Sequence, residues 1–195
     1  MPLKGQKTTS SYIDWNTITN LILKLERDGN WKFAILIAIG IFTGLRISDI
    51  LSLSWNDFLN REFLGITEKK TKKFRNIKLN PQLQDIVTRT FKSQKITNPD
   101  NLIFLNRWET KAIRIQYVNT MLKKIFIKYK ISKDGTSISA HSLRKSFGRQ
   151  VWAANQSSER ALVILSEILK HSSIATTKIY LGIREEEISE IYLNL

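Results

Sequence analysis

The residues with the most chemical promise in this chain are two histidines, each close to a group able to handle phosphate. His141 opens His141-Ser142-Leu143-Arg144; on a helix begun by Ser139 the first and last of these share a face, so both can point at one anion near a helix N-terminus. Taken alone, a His-x-x-Arg is more often a surface histidine beside a solvated arginine. His171 precedes Tyr180 by nine residues in His171-Ser172-Ser173-Ile174-Ala175-Thr176-Thr177-Lys178-Ile179-Tyr180. A further arginine, Arg46, follows Thr43-Gly44-Leu45. Six of the ten positions from Lys69 to Lys78 are Lys or Arg with no acid among them, the composition of a phosphate contact or of a solvated charge run.

Helices must position most of these groups. From Asp14, an N-cap residue, Ile18, Leu21, Ile22 and Leu25 recur at helical spacing until Gly29. Phe33 to Phe42 is an apolar run that reads as a buried helix, ending at Thr43-Gly44, and Ser48 is expected to cap a short helix through Leu53, which puts Arg46 at a helix–helix junction. Phe63 to Thr67 and Asn76 to Leu79 are the candidate strands, joined by the basic connection Glu68 to Arg75. Asn80-Pro81 starts a helix with Leu83, Ile86, Val87 and Phe91 inward. Ile115, Val118, Leu122, Ile125 and Tyr129 mark another. A loop follows from Ser132 to Ser139, then helices from about Ala140, Glu159 and Ser173, and a last one from Arg184 to Leu195. The fold class is mostly α with a small antiparallel β-sheet.

Length and composition bound the possible functions. With 195 residues, 42% hydrophobic, and only 3 Pro and 8 Gly, the chain suits one globular domain and not a disordered one. It has no cysteine, which excludes a disulfide framework and any Cys-based zinc or iron–sulfur site; with two histidines and no paired-carboxylate spacing, no metal is expected. The N-terminus lacks the apolar run of a secretory signal, and the ten-residue apolar stretch falls short of the ~20 that cross a bilayer, so no membrane partner and a cytoplasmic location are expected. Against 17 Asp+Glu stand 31 Lys+Arg, a net charge of +14 that favours a nucleic acid partner through counterion release. On charge alone, structural RNA binding stays open.

In order and spacing, Thr43-Gly44-Leu45-Arg46-Ile47-Ser48-Asp49-Ile50-Leu51, the basic hairpin, His141-x-x-Arg144 and His171…Tyr180 resemble the tyrosine recombinase/integrase family over nearly the whole chain, from about Tyr12 to Gly182. Each motif is weak singly and the ordered set is strong. The resemblance implies the catalytic-domain fold of that family. It matches Arg46 to the first catalytic arginine, Lys70 to the hairpin lysine, His141 and Arg144 to the second box, and His171 and Tyr180 to the third-box histidine and the nucleophile. In such enzymes the tyrosine attacks a DNA phosphodiester, giving a 3′-phosphotyrosyl link and a 5′-hydroxyl that can reverse the step. The bond energy is conserved, so no cofactor is expected.

The residue types suit that chemistry. Two permanently charged guanidinium forks, Arg46 and Arg144, can hold the non-bridging oxygens as negative charge gathers on them. A neutral phenol with a pKa near ~10 is a poor nucleophile, so an imidazole that accepts its proton helps; His141 is assigned that part and His171 donation to the phosphate. Lys70 is assigned protonation of the departing 5′-oxygen. Candidate DNA contacts are Lys69, Lys72, Lys73, Arg75 and Lys145, and a second basic run extends from Lys111 to Lys133.

Three positions depart from the family pattern: Lys170 replaces a glycine before His171, Lys145 stands where a histidine is common, and Ser142 replaces a frequent acid. The expected organisation is a basic arm over 1–11, a catalytic domain over 12–183 and a C-terminal helix over 184–195, whose apolar face either packs on its own domain or, as the resemblance implies, docks on a neighbouring protomer to give dimers to tetramers on double-stranded DNA. This layout fits a complete short recombinase, like fimbrial phase-variation invertases, and equally the catalytic part of a larger integrase. The expected function is site-specific DNA recombination. The alternatives are a type IB topoisomerase-like or telomere-resolving enzyme, and a catalytically silent DNA-binding accessory protein.

Overall fold

A computed structural model describes residues 10–131 and 137–194. Most of the basic arm expected over 1–11 therefore lies outside the described residues, as do most of the loop after Ser132, Lys133 of the second basic run, and the side chains of 184–187. Among the described residues the elements are α1 (Trp15–Arg27), α2 (Trp31–Thr43), α3 (Ile47–Ile50), β1 (Phe63–Thr67), β2 (Phe74–Lys78), α4 (Pro81–Ser93), α5 (Ile115–Lys128), α6 (Ala140–Ala154), α7 (Glu159–Ile168), α8 (Ile174–Leu181) and α9 (Ile183–Leu193). This is the mostly helical class with one two-stranded antiparallel sheet.

The core is built around α2. A helix apolar on every side has to be surrounded, and every residue from Phe33 to Ile41 is buried, with α1, α4 and α6 packed on it. Each large aliphatic side chain there contributes about 1.5–3 kcal/mol by leaving water. The neighbours start where their caps dictate. Asp14 accepts from the Thr17 N–H at 2.9 Å and Asn80 from that of Gln82 at 2.8 Å, with Pro81 in the first turn of α4. A second, smaller cluster of Leu162, Leu165, Leu169, Leu181 and Ile183 joins α7 and α8 to α6, and Tyr180 packs against it.

Two of the boundaries that differ from the sequence expectation bear on the site. Strand β2 begins at Phe74 rather than Asn76, because the ladder pairs Phe63 with Lys78 and Thr67 with Phe74. Arg75 thereby becomes the inward position of β2, a place that hydrophobic alternation cannot flag when the residue is charged. Helix α3 is shorter than expected, and Ser48 lies inside it; Arg46, in extended conformation, is its N-cap residue.

Gly44 sets that junction. It ends α2 at φ +62°, and a Cβ there would meet Phe147 Cδ1 at 2.5 Å, so both the backbone turn and the approach of α6 require glycine. Gly148 does the same between α6 and α8, where a Cβ would sit 2.6 Å from Leu181 Cδ2. These close approaches bring Arg46, Arg144 and Tyr180, distant in sequence, to one side of the core.

Candidate active site

The last carbonyls of a helix lack partners within it and carry its negative end, which makes them acceptors for cations. Arg144, buried on α6, uses two such ends: its Nη1 donates to the Gly44 carbonyl after α2, and its Nη2 to the Leu169 carbonyl after α7, at 2.8 Å. Arg75 is buried as well and donates to the Thr43 carbonyl at 3.3 Å. Burial pulls the Arg144 pKa down to about 10, so the group stays charged at neutral pH.

Glu68, fully buried at the end of β1, gathers three donors: Thr71 Oγ1 at 2.6 Å, Arg46 Nη1 at 2.7 Å and Arg75 Nη1 at 3.1 Å. Burial alone would raise its pKa; the hydrogen bonds from Thr71, Arg75 and Arg46 reverse that and hold it below the usual value. The turn from Glu68 to Lys73 is closed by backbone bonds, and Asp49 Oδ1 on α3 accepts the Lys69 N–H at 2.9 Å. Lys69, Lys70, Lys72 and Lys73 are exposed around this turn.

His171 is placed by the end of α7. The His171 N–H bonds to the Ser166 carbonyl at 2.9 Å and the Lys170 N–H to that of Glu167 at 3.2 Å, a Schellman cap that holds Lys170 at φ +53°. The turn usually made with glycine is thus kept with lysine, in a region that costs a β-carbon residue about 1–2 kcal/mol. The imidazole packs edge-on to Tyr180 with ring centroids 4.9 Å apart. Burial, then the charges of Arg144 and Arg46, push the His171 pKa down to about 4.

The Tyr180 hydroxyl is buried without a hydrogen-bond partner among the described residues. Burial pushes its pKa up to about 12, against the pull of Arg144 and Arg46. Arg144 is close enough to act on the phenol, but with two of its nitrogens on carbonyls it makes no bond of proper geometry to that oxygen. Lys145, expected at the DNA, is buried with its Nζ 5.3 Å from the centre of the Tyr180 ring. His141 remains open to solvent at the start of α6, where Ser139 caps the helix. Partial enclosure and the charges of Arg144, Lys70, Arg46 and Lys145 lower its pKa.

The structure thus brings Arg46, Lys70, His141, Arg144, His171 and Tyr180 into one electrostatic neighbourhood. Cations crowd an imidazole pair kept neutral and a phenol kept protonated, the condition of a site built to receive an anion. Of the expected DNA contacts, Lys69, Lys72 and Lys73 face solvent, whereas Arg75 and Lys145 are internal. Among the described residues no group of three or more His, Cys, Asp or Glu is placed to hold a metal ion, and no helix is long and apolar enough to cross a membrane. Sequence reasoning missed Glu68, Asp49 and Thr177, whose Oγ1 lies 3.0 Å from His171 Nδ1. Asp49 carried a signal, the same three-residue spacing from Arg46 that links His141 to Arg144; Glu68 is the lone acid at the mouth of a basic run.

A family model described as the phage integrase family matches residues 13–187. The probable integrase/recombinase YoeC of Bacillus subtilis (strain 168) is 31% identical over 157 residues, 80% of this chain and 81% of that protein. Tyrosine recombinase XerH of Campylobacter jejuni is 27% identical over 149 residues, 75% of this chain and 40% of that protein, so the chain spans less than half of this relative. Among solved structures, the XerH site-specific recombinase bound to palindromic difH substrate in a post-cleavage complex superposes with a TM-score of 0.68. The identity is 19%, over 98% of this chain and 57% of that one, a likeness of fold.

Proposed function

The chain belongs to the phage integrase family, and from that premise we propose that it is a site-specific DNA recombinase that breaks and rejoins strands through a 3′-phosphotyrosyl intermediate. The observation that carries the reading is the buried, unpartnered Tyr180 hydroxyl in the field of two arginines. The hydroxyl contributes no hydrogen bond to the fold among the described residues, and an unsatisfied buried hydroxyl costs about 1–3 kcal/mol.

In the proposed reaction Tyr180 Oη attacks the phosphorus of a DNA phosphodiester. The Oη–P bond forms, the P–O5′ bond breaks, and the phenolic proton passes to neutral His141. Arg46 and Arg144 hold the non-bridging oxygens as their charge grows, with orientations already fixed by Glu68 and by the two carbonyls, so little reorganisation is left for the transition state. His171 binds the same phosphate. Lys70, on the hairpin turn, gives its proton to O5′, and the resulting 5′-hydroxyl can attack the phosphotyrosine in the reverse sense. The proposed unit is the span 12–183 acting on double-stranded DNA in the cytoplasm. Beyond it, α9 exposes Ile188, Ile191 and Tyr192 within one sector of the helix, apolar surface suited to a neighbouring protomer.

The deciding experiment incubates the protein with nicked duplexes tiled across the DNA flanking its coding sequence and looks for a denaturant-resistant protein–DNA adduct. Wild type is expected to form it at a discrete site and Tyr180→Phe not at all. An adduct that survives in Tyr180→Phe, or none with wild type on any duplex, refutes the assignment. Adducts on DNA of every sequence, with supercoil relaxation and no strand exchange, would identify a topoisomerase instead.

A further inference from the structure

Nothing in the strand-transfer chemistry calls for an acid beside the phosphate, yet a carboxylate is fully buried there. Removing such a charge from water costs several kcal/mol unless partners compensate, and Glu68 has them on three sides. The partners come from different elements. Arg46 precedes α3, Arg75 belongs to β2, and Thr71 is in the turn between the strands. The Glu68 backbone closes that turn itself: its N–H donates to the Lys73 carbonyl at 3.0 Å, and its carbonyl accepts from the Lys72 N–H at 2.9 Å. Lys70 stands inside the loop so closed. A second bond, from the Lys69 N–H to Asp49, ties the same turn to the same short helix.

We propose that Glu68 is a positioning residue, whose carboxylate fastens the Lys70-bearing turn to the Arg46 guanidinium so that leaving-group acid and phosphate grip are set as one unit. This deepens the recombinase reading and rests on it for the roles of Lys70 and Arg46. Electrostatics permit the arrangement, because two guanidiniums around one carboxylate leave a net positive charge facing the phosphate. Geometry gives it a purpose. A flexible lysine on an exposed turn would otherwise search a wide volume, and displacement of a reacting group by ~1 Å can cost about a hundredfold in rate. The bond to Glu68 engages one nitrogen of Arg46 and fixes the plane in which the rest of the fork meets the phosphate.

Hydrogen exchange tests the link without any DNA. In Glu68→Ala, exchange should rise roughly tenfold or more in both the 68–73 turn and the 46–51 segment, with α4 unchanged. In Thr71→Val, which removes one hydrogen bond and no charge, it should rise by a smaller factor in the turn alone. Unchanged exchange in either segment of Glu68→Ala overturns the link; if that variant loses protection everywhere it has unfolded, and an unchanged turn in Thr71→Val then overturns it. The catalytic consequence is read on a nicked duplex that wild type cleaves, made with oxygen or with sulfur at the 5′-bridging position, since a thiolate departs without a proton. Glu68→Ala should cleave the oxygen substrate roughly a hundredfold more slowly and recover roughly tenfold or more on sulfur, and Lys70→Ala should do the same. Equal loss on both substrates, or no loss, refutes action through Lys70. Absence of any wild-type adduct would instead count against the recombinase reading, while the hydrogen-exchange outcome would still decide whether Glu68 links the two segments.

Discussion

His171 Nδ1 lies 3.0 Å from Thr177 Oγ1, and the same hydroxyl lies 3.3 Å from the Ser173 carbonyl. When the Thr177 proton goes to that carbonyl, Thr177 accepts from the ring, and the neutral imidazole carries its hydrogen on Nδ1 and its lone pair on Nε2. Donation from Nε2 to a phosphate then requires the imidazolium. DNA binding should therefore take up a proton at His171. Calorimetry in buffers of different ionisation enthalpy should detect this uptake at pH 6–7 and find it gone in His171→Gln. Nitrogen-15 spectra should show the Nδ1–H tautomer in wild type and lose it in Thr177→Val.

Stability without DNA should move with pH in the opposite sense. His171 has a folded pKa of about 4 against an ordinary 6.5, so between those values the unfolded chain binds a proton that the native one refuses. Stability should fall as pH is lowered through that window, and the slope should be shallower in His171→Gln. Arg144 and Tyr180, which lie beside the ring, titrate well above that window. Urea titrations at successive pH values give the slopes; identical ones in the two proteins would contradict the assignment.

Tyr180→Phe should abolish the adduct while making the fold more stable. The lost hydroxyl is buried and has no partner, so its removal should gain about 1 kcal/mol, or about 2–4 °C in Tm for a domain of this size. A drop in Tm would show that the hydroxyl is satisfied in solution.

Lys170→Gly should raise the urea midpoint with an unchanged slope. The left-handed backbone of Lys170 costs a β-carbon residue more than it costs glycine, and the net gain after the extra freedom of glycine in the unfolded chain is about 0.5 kcal/mol.

Arg75 and Lys73, two residues apart in one basic run, should separate cleanly. Arg75→Ala removes a buried cation from Glu68 and should cost roughly 3 kcal/mol of stability. Lys73→Ala, on the exposed turn, should leave stability within about 0.5 kcal/mol and reduce the salt dependence of DNA binding by about one counterion. Denaturation and binding titrations over a salt series measure both.

The amino-acid sequence determined which elements form. Asp14, Asn80 and Ser139 start helices where their side chains can cap them, the uninterrupted apolar run of α2 can only be a core, and the order of the arginine, histidine and tyrosine motifs places the chain in its family. Local pattern reaches that far because caps and amphipathic faces act within a few residues. The tertiary structure decided which charges are inside. Arg75 reads as a surface cation and Glu68 as the start of a loop until the end of α2 and the pairing of β1 with β2 supply the carbonyl and counter-charges that make their burial tolerable, and Lys145 reads as a surface cation until α8 brings the Tyr180 ring beneath it. A buried ion has no periodicity to announce it; its partners are chosen in space.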